Sequence, residues 1–403
     1  MRGIAPPRLG RISVKCKIRL VGSYCEPHTP HNVTMDRIPL FKIAGRDHYQ
    51  GCLLGGAVGD ALGAPVEFMT RTQITVQFGN GGIRDMVPAY GRVGAITDDT
   101  QMALFTAEGL LRTWVCQSLR GSCEPPSVIA SAYLRWLHTQ GIVHPLQQHC
   151  LNGWLIQQNE LFARRAPGNT CISALRALQS IGDRAKNDSK GCGGVMRVAP
   201  VGMMMAGLSP SETTEKSFKL GCEAAAITHG HPTGQLAAGV FAAIICQLLG
   251  GIGLLESVER ALQILEEIPD HDETSQAIRQ AIKFASDNPS SIDALKMIGK
   301  GWVAEEALAI GLYCALCAND FESGVILAVN HDGDSDSTGL IAGHLLGAIH
   351  GISGIPPRWL EPLELRNVLE EVADDLATVG AWKLDRDLHG EQFEHFIHRY
   401  PGS

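Results

Sequence analysis

The chain has 403 residues, of which 45% are hydrophobic and 19% are charged, and its formal net charge is −8 at pH 7. These values predict a globular protein with a large buried core, and the length alone would accommodate two or three domains. No uninterrupted apolar run reaches the ~18 residues of a membrane span, and no continuous apolar stretch accompanies the basic residues near the amino terminus as it would in a signal peptide. The twelve cysteines are scattered, so we expect reduced thiols and a cytoplasmic location. We expect neither a membrane nor a nucleic-acid partner.

Residues 1–46 differ in charge from the rest of the chain. They contain nine Lys or Arg and two acidic residues, a charge of +7 that leaves −15 for residues 47–403. Five prolines and little amphipathic periodicity, apart from a candidate short strand over 12–21, predict an extension outside the main core. Two interpretations stay open, namely a disordered leader and a basic arm that binds an acidic partner.

From about Asp47 the sequence has a helical pattern almost without interruption. In residues 51–63 a glycine recurs every four residues, and the same spacing returns in residues 339–351. This spacing places the glycines on one face of each helix, and each glycine costs up to ~1 kcal/mol of helix propensity relative to alanine. We therefore predict that the two helices cross closely, against each other or against a common neighbour. Glu67 lies just past the end of the first helix.

Residues 73–94 are irregular and rich in glycine, which predicts a long loop. The segment after it, 95–104, contains the adjacent acids Asp98 and Asp99 between two threonines. It has the pattern of a helix start, with Asp98 as N-cap and Gln101 completing a capping box. The two carboxylates and the neighbouring hydroxyls also suit a hard metal ion.

The middle of the chain contains two further candidate binding segments. Residues 189–197 place three glycines before an apolar run that Pro200 ends, and flexible backbone of this kind binds phosphate when it precedes a helix. Residues 228–232, Thr-His-Gly-His-Pro, open a helix predicted over 233–249, where His229 is either a helix-terminal hydrogen-bonding group or a ligand contact. Further amphipathic core helices are predicted over 256–265, 274–285, 292–298, 303–318 and 363–376.

Three aspartates at alternate positions, Asp332, Asp334 and Asp336, stand between two apolar runs. Crowding three carboxylates into one turn is costly unless a cation lies among them, and hard oxygen ligands suit Mg²⁺, Mn²⁺ or Ca²⁺. An EF-hand is excluded, because the sixth and twelfth loop positions are Ser337 and Gly343 in place of Gly and Glu. The alternative is a capped helix start with Asp336 or Ser337 as N-cap, which accounts for one aspartate but not for three.

Five motifs occur together in a recognisable order and approximate spacing. They are GDALGAPVEF at 59–68, TDDT at 97–100, GCGGVMRVAP at 191–200, THGHP at 228–232 and GDSDST at 333–338. In these motifs the chain resembles the ADP-ribosylglycohydrolases, over about residues 47–380. The resemblance implies one all-α domain over 47–403, a compact orthogonal helical bundle with a dinuclear site for two Mg²⁺ or Mn²⁺. The metal ligands that it implies are Thr97, Asp98, Asp99, Asp334, Asp336 and Ser337.

The resemblance also implies roles in catalysis and substrate binding. Glu67, Asp98 and Asp336 would be catalytic, with Glu67 managing a proton or positioning the substrate. The pyrophosphate of ADP-ribose would lie on N–H groups of the segment formed by Ser189, Gly191, Cys192 and Gly193. His229 would line the ribose or phosphate pocket. Four carboxylates would balance two divalent cations, which would orient the distal ribose and polarise a water beside its anomeric carbon.

The implied activity is metal-dependent removal of ADP-ribose from a modified protein side chain, with arginine as the first expected acceptor. One alternative is an immunity protein that reverses a toxin's modification and also binds the ADP-ribosyltransferase through residues 1–46. A further alternative is a non-catalytic, crystallin-like member of the family. The four retained aspartates argue against it, because a structural descendant would be free to lose them.

Overall fold

The computed structural model of the protein describes residues 44–208, 213–384 and 390–402. In these residues the regular structure is helical except for one antiparallel hairpin of two-residue strands, β1 (Pro88–Ala89) and β2 (Arg92–Val93). The helices of the amino-terminal half are α1 (Arg46–Gly63), α2 (Arg71–Phe78), α3 (Asp98–Arg120), α4 (Pro125–Thr139), α5 (Asn169–Ala177) and α6 (Ala199–Ala206). Those that follow are α7 (Thr213–Ala226), α8 (Pro232–Leu249), α9 (Leu254–Leu265), α10 (Asp272–Asp287), α11 (Ile292–Ile298), α12 (Ala304–Cys317), α13 (Phe321–Val329), α14 (Ser335–His350), α15 (Pro357–Leu360), α16 (Arg366–Thr378) and α17 (Glu391–Arg399). The all-α prediction is confirmed.

Most helices predicted from apolar periodicity are present with similar bounds, and α11 has the predicted bounds. The predicted loop over 73–94 is wrong in its first part, because α2 occupies it. Thr70 caps α2 reciprocally with Gln73: the Thr70 N–H donates to Gln73 Oε1 (2.7 Å), and the Gln73 N–H donates to Thr70 Oγ1 (3.3 Å). Only Ile74 of α2 is buried, so this helix lacks the apolar stripe by which helices are recognised in a sequence.

Two predicted N-caps and the predicted role of Pro200 differ from the structure. Thr97, not Asp98, is the N-cap of α3, and its Oγ1 accepts the Asp99 N–H (3.3 Å). Asp334 is the N-cap of α14, so Asp336 and Ser337 lie in the first turn. Pro200 lies in the first turn of α6 and does not end a segment, since proline is tolerated where the helix leaves N–H groups unpaired.

The two helices with four-residue glycine spacing, α1 and α14, pack directly against each other. A Cβ added at Gly55 would meet the carbonyl oxygen of Gly343, and one added at Gly59 would meet that of Gly339. The two backbones therefore touch along the glycine faces, as the spacing predicts. Near its end, α1 approaches the start of α14 in the same way, at Gly63 and Ser335. This contact brings the segment after α1 next to the aspartates at the start of α14.

Helix α8 lies in the core and packs against α6, α7, α9, α12 and α14. It is the one described helix long and apolar enough to cross a membrane by length and composition, but 89% of that segment is buried inside the protein. The segment is not an uninterrupted apolar run, because it contains two glycines and two glutamines, but these residues do not lower its mean hydropathy below that of a membrane span. Burial on all sides explains its composition, because a core helix has no polar face.

The described residues belong to one compact unit. The ten cysteines among them are free thiols, as the scattered spacing indicates. The candidate strand over 12–21 and nearly all of the predicted extension over 1–46 lie outside the described residues. The boundary at residue 46 and the two interpretations of the extension stay predictions.

Candidate active site

A cavity of about 300 Å³ lies where the segment after α1 meets the first turns of α3 and α14. Five carboxylate side chains line it: Glu67, Asp98, Asp99, Asp334 and Asp336. The other lining residues are Phe68, Ala166, Pro167, Gly168, Asn169, Cys192, Gly193, Met196, Trp302 and Ser337. None of these described lining residues carries a positive charge. The fold thus brings three of the sequence motifs, and part of a fourth, into one acidic cavity.

A larger cavity of about 810 Å³ lies elsewhere, between Trp154 and the carboxyl-terminal helix α17. Its described lining residues include none from the five motifs, and it is more open to solvent. Volume alone would favour this surface. Convergence of buried polar groups is the better sign of a reactive site, and it favours the smaller acidic cavity.

The carboxylates of the acidic cavity lie close together and are buried. One oxygen from each of Glu67, Asp334 and Asp336 lies within 4.8 Å of the others. The side-chain hydroxyl of Ser337 donates to Asp99 Oδ2 (2.6 Å), and the Gly168 N–H donates to Asp98 Oδ2 (3.1 Å). Such crowding costs Coulomb energy that these hydrogen bonds offset only in part.

The crowding affects the ionisation of Glu67 and of the aspartates. The pKa of the Glu67 carboxyl is raised to about 10, first by burial and then by the charges of Asp336 and Asp334. Burial also raises the pKa values of Asp98 and Asp99 above the ordinary aspartate range. Without a cation the cluster therefore retains protons at neutral pH, because ionising every member would place several negative charges in one buried volume.

The donor set fits a hard divalent cation. Two buried oxygens, Glu67 Oε2 and Asp334 Oδ2, have no hydrogen-bond partner. Unpaired buried carboxylate oxygens are costly in a folded protein, and a cation bound in the cavity would lower that cost. Of the six ligands implied by the resemblance, five line the cavity, and Thr97 lies immediately behind it with its hydroxyl engaged as the α3 cap. The cluster is thus able to hold a metal ion.

Asp60 supports the acidic site, and the sequence reasoning did not single it out. It is fully buried in α1 and accepts the N–H groups of Thr97 (2.9 Å) and Thr100 (3.2 Å). Burial and then the charge of Asp336 raise its pKa, hydrogen bonds from Thr100 and Thr97 lower it, and the net pKa is about 7. Asp60 therefore holds the turn that presents Asp98 and Asp99. In the sequence, the indication of this role was an aspartate within the apolar, glycine-rich part of α1.

A buried ion pair, Arg165 with Glu364, supports the same turn from the other side. Arg165 Nη2 donates to Glu364 Oε1 (2.9 Å), and Arg165 Nη1 donates to the carbonyl of Ile96 (2.7 Å). Glu364 Oε2 accepts the Ile96 N–H (3.2 Å). The pair links the loop before Gly168 to the residue before Thr97. No motif in the sequence marked either residue.

Asp332 does not join the acidic cluster, so the prediction of three converging aspartates is wrong for this residue. Its Oδ1 accepts the backbone N–H of Arg71 (2.6 Å) at the start of α2. An N–H group in the first turn of a helix lacks an intrahelical acceptor, and a carboxylate there is also favoured by the helix dipole. Asp332 is therefore satisfied outside the cavity.

The segment predicted to hold pyrophosphate is only partly in the cavity. Cys192 and Gly193 line it, whereas Ser189 and Gly191 do not. Several N–H groups of the segment already have partners inside the protein: Ser189 N–H donates to Asn187 Oδ1 (3.1 Å), Gly191 N–H to Ser189 Oγ (3.3 Å), and Cys192 N–H to the carbonyl of Trp302 (3.2 Å). A phosphate bound here would compete with these bonds or use the remaining donors.

His229 lies behind this segment and does not line the cavity. Arg197 Nη2 donates to Thr228 Oγ1 (2.7 Å), and the Thr228 hydroxyl lies 2.8 Å from His229 Nδ1. If the hydroxyl donates to Nδ1, the proton of the neutral ring is on Nε2, which lies 3.5 Å from where a Cβ of Gly193 would stand. Burial and then the charge of Arg197 lower the His229 pKa to about 3, so the ring is a neutral hydrogen-bonding group and not an acid or base at neutral pH.

Known proteins match most of the chain. A family model described as ADP-ribosylglycohydrolase matches residues 42–385. The chain is 27% identical over 347 residues to the ADP-ribosyl-[dinitrogen reductase] glycohydrolase of Rhodospirillum rubrum, covering 83% of this chain and 97% of that protein. It is 27% identical over 334 residues to the ADP-ribosylarginine hydrolase Tri1 of Pseudomonas putida, covering 82% of this chain and 78% of that protein. A solved structure named ADP-ribosylglycohydrolase-related protein complex matches with a TM-score of 0.59 and 28% identity, covering 83% of this chain and 98% of that chain.

Proposed function

The chain belongs to the ADP-ribosylglycohydrolase family, and from this premise we propose that it hydrolyses ADP-ribose from modified arginine side chains of proteins with the help of bound divalent cations. The observation that carries the proposal is the cavity, where five buried carboxylates converge with no positive charge among the described lining residues. Arginine as acceptor is supported by the relative named ADP-ribosylarginine hydrolase. The substrate is then an ADP-ribosylated protein.

The proposed metal ligands are the four aspartates of the cavity with two hydroxyls beside them: Asp98, Asp99, Asp334, Asp336, Thr97 and Ser337. Four carboxylates match the charge of two Mg²⁺ or Mn²⁺, and carboxylate and hydroxyl oxygens are the donors that these cations prefer. When bound, the cations supply Lewis-acid polarisation of a water and of the ribose hydroxyls.

Glu67 is the proposed proton carrier. In the hydrolysis the glycosidic C–N bond breaks, the departing guanidine nitrogen takes a proton, and a water oxygen bonds to the anomeric carbon and loses a proton. Glu67 is 6% exposed and has one oxygen without a partner, so it has a free position from which to pass that proton. The surrounding carboxylates stabilise positive charge that develops on the ribose ring as the bond breaks.

The proposed role of His229 and of residues 189–193 is to bind the ADP part of the substrate. Cys192 and Gly193 form one wall of the cavity, and His229 supports that wall from behind. A neutral ring suits this place, because it supports the wall without adding a group that titrates near neutral pH. The contribution of Ser189 and Gly191 is then to shape the turn.

The direct test is release of ADP-ribose from a peptide that carries ADP-ribose on arginine, measured with Mg²⁺, with Mn²⁺ and with a chelator. We expect turnover with either cation and loss of turnover with the chelator that added Mg²⁺ restores. Turnover that is insensitive to chelation would overturn metal dependence. Release from a serine-linked peptide but not from the arginine-linked peptide would overturn the acceptor.

A further inference from the structure

Two aromatic side chains stack at the mouth of the acidic cavity, and we call Phe68 and Trp302 the aromatic shelf. Their ring centroids are 5.9 Å apart and the ring planes differ by 16°. Both residues line the cavity, and they are 71% and 40% exposed. Exposed aromatic surface of this size contributes little to the core, so a stacked pair beside reactive groups indicates a surface for a ligand.

The aromatic shelf is attached to the acidic end of the cavity. Phe68 directly follows Glu67 in the chain. Trp302 directly follows Gly301, which packs against Asp334: a Cβ at Gly301 would lie 3.3 Å from the Asp334 Cβ. The carbonyl of Trp302 is held by the Cys192 N–H (3.2 Å). Phe68 is therefore one residue from Glu67, which lines the cavity, and Trp302 is one residue from a glycine that packs against Asp334.

We propose that the aromatic shelf binds the guanidinium group of the arginine from which ADP-ribose is removed. This inference rests on the proposed function and deepens it by assigning the acceptor subsite. A guanidinium is a planar cation that stacks on aromatic faces and is weakly hydrated. Lysine or a hydroxyl-bearing side chain lacks that planar cationic surface. The shelf thus selects the acceptor, while the carboxylates act on the ribose.

The other aromatic-binding part of the substrate is adenine, and the position of the shelf favours the guanidinium. The acceptor nitrogen is bonded to the reacting carbon, whereas adenine is separated from it by a second ribose and two phosphates. The acceptor also belongs to a protein, so it must enter from solvent and stay at the exposed rim. The exposure of Phe68 and its place next to Glu67 meet both requirements.

The test compares Trp302→Leu and Phe68→Leu, which keep apolar volume and remove the aromatic face, with Trp302→Phe, which keeps it. Two quantities are measured with Mg²⁺ present: kcat/KM on an arginine-linked ADP-ribosyl peptide, and the affinity for free ADP-ribose by calorimetry. We expect the leucine variants to lose about tenfold in kcat/KM, mainly through a higher KM, with ADP-ribose affinity nearly unchanged. Trp302→Phe should retain most of the wild-type value.

Phe162→Leu is the matched control, because Phe162 is also 48% exposed and is not among the residues that line the cavity. Melting temperatures identify a variant that fails to fold. If Trp302→Leu fails to fold, the result for Phe68→Leu, at the more exposed position, tests the inference. A parallel loss of ADP-ribose affinity would show that the aromatic shelf binds adenine. Unchanged kcat/KM would show that the shelf binds neither adenine nor the guanidinium. Either result would overturn this inference and leave the proposed function standing. No turnover of the arginine-linked peptide by the wild-type protein would overturn the proposed function and this inference together.

Discussion

Glu67 is the residue whose chemistry depends most on its neighbours. Its raised pKa comes first from burial and then from Asp336 and Asp334, so in the metal-free protein its carboxyl is protonated at neutral pH. Glu67→Gln preserves the shape and the neutral charge of that state but removes the transferable proton. We expect turnover to fall ~10²-fold or more, with little change in the melting temperature of the metal-free protein. Steady-state assays and thermal unfolding would show this, and turnover within a few-fold of wild type would assign Glu67 to packing.

Asp336 and Asp332 lie four residues apart but have different partners, which makes them a matched pair of variants. Asp336→Ala should abolish ADP-ribose release and the rise in melting temperature on adding Mg²⁺, because ligand binding to the native state stabilises it. Asp332→Ala removes only the acceptor for the Arg71 N–H, so we expect a loss of about 0.5–2 kcal/mol of stability and retention of both Mg²⁺ responses. Full Mg²⁺-dependent turnover in Asp336→Ala would contradict the metal assignment.

At the scale of elements, the contact of α1 with α14 positions the site. Alanine favours a helix over glycine by ~1 kcal/mol, so Gly343→Ala would be stabilising if only the helix propensity mattered. A Cβ at Gly343 would meet the carbonyl oxygen of Gly55, and neither backbone is free to withdraw. We therefore expect Gly343→Ala to lower the free energy of unfolding by about 1–3 kcal/mol.

Chemical denaturation measures this effect, and Gly81→Ala is the control. Gly81 is in a loop, and a Cβ there would meet only the Arg84 side chain at ordinary distance (3.5 Å). A Gly343→Ala protein as stable as wild type would show that the two helices separate more easily than their backbone contact implies.

A second feature at the scale of elements is the capping of α3 and α14. Thr97 takes the capping bond, which leaves the Asp98 and Asp99 side chains free to line the cavity. Asp334 is at the cap position without capping, and one of its oxygens stays unpaired. At both starts the acids are thus available for a ligand.

For the whole molecule, the buried acids link stability to pH and to metal. In the folded metal-free protein the pKa of Asp60 is about 7 and that of Glu67 about 10, against ~4 in an unfolded chain. Between pH ~4 and these values the folded state holds more protons, so the free energy of unfolding falls as pH rises. We expect the melting temperature of the chelated protein to drop between about pH 5.5 and 8.5.

Mg²⁺ should oppose that drop, because cation binding replaces the protons. The increase in melting temperature on adding Mg²⁺ should therefore be larger at the higher pH, as calorimetric scans at both pH values would measure. A chelated protein that becomes more stable with rising pH over this range would contradict the electrostatic account.

The family match begins at residue 42, and every residue that lines the acidic cavity lies between 67 and 337. We expect deletion of residues 2–41 to leave hydrolysis of an arginine-linked peptide nearly unchanged. The assay is the same release of ADP-ribose with Mg²⁺, compared with the full chain. Loss of activity on deletion would show that the basic segment is needed for the catalytic unit. Binding of residues 1–46 to an ADP-ribosyltransferase stays a separate prediction.

The sequence by itself determined the features that depend on local pattern. Periodicity located most helices, and four-residue glycine spacing indicated the α1–α14 contact. Adjacent acids marked Asp98 and Asp99, and acids at alternate positions marked Asp334 and Asp336. Tertiary structure alone decided which hydrogen-bond partner each of these side chains has and which of them line the cavity. Asp332 accepts the N–H of Arg71 in the first turn of α2, whereas Asp334, two residues later, lines the cavity. The donor to Asp332 belongs to a helix more than 250 residues earlier in the chain, so no local pattern shows the pairing.

The same reason explains the residues that pattern did not reveal. Asp60, Arg165 and Glu364 act through backbone groups of a distant turn, and the rings of Phe68 and Trp302 meet only when the segments after α1 and before α12 approach. Short-range spacing carries information about helices and faces. Pairings between distant segments depend on the packing of the whole chain.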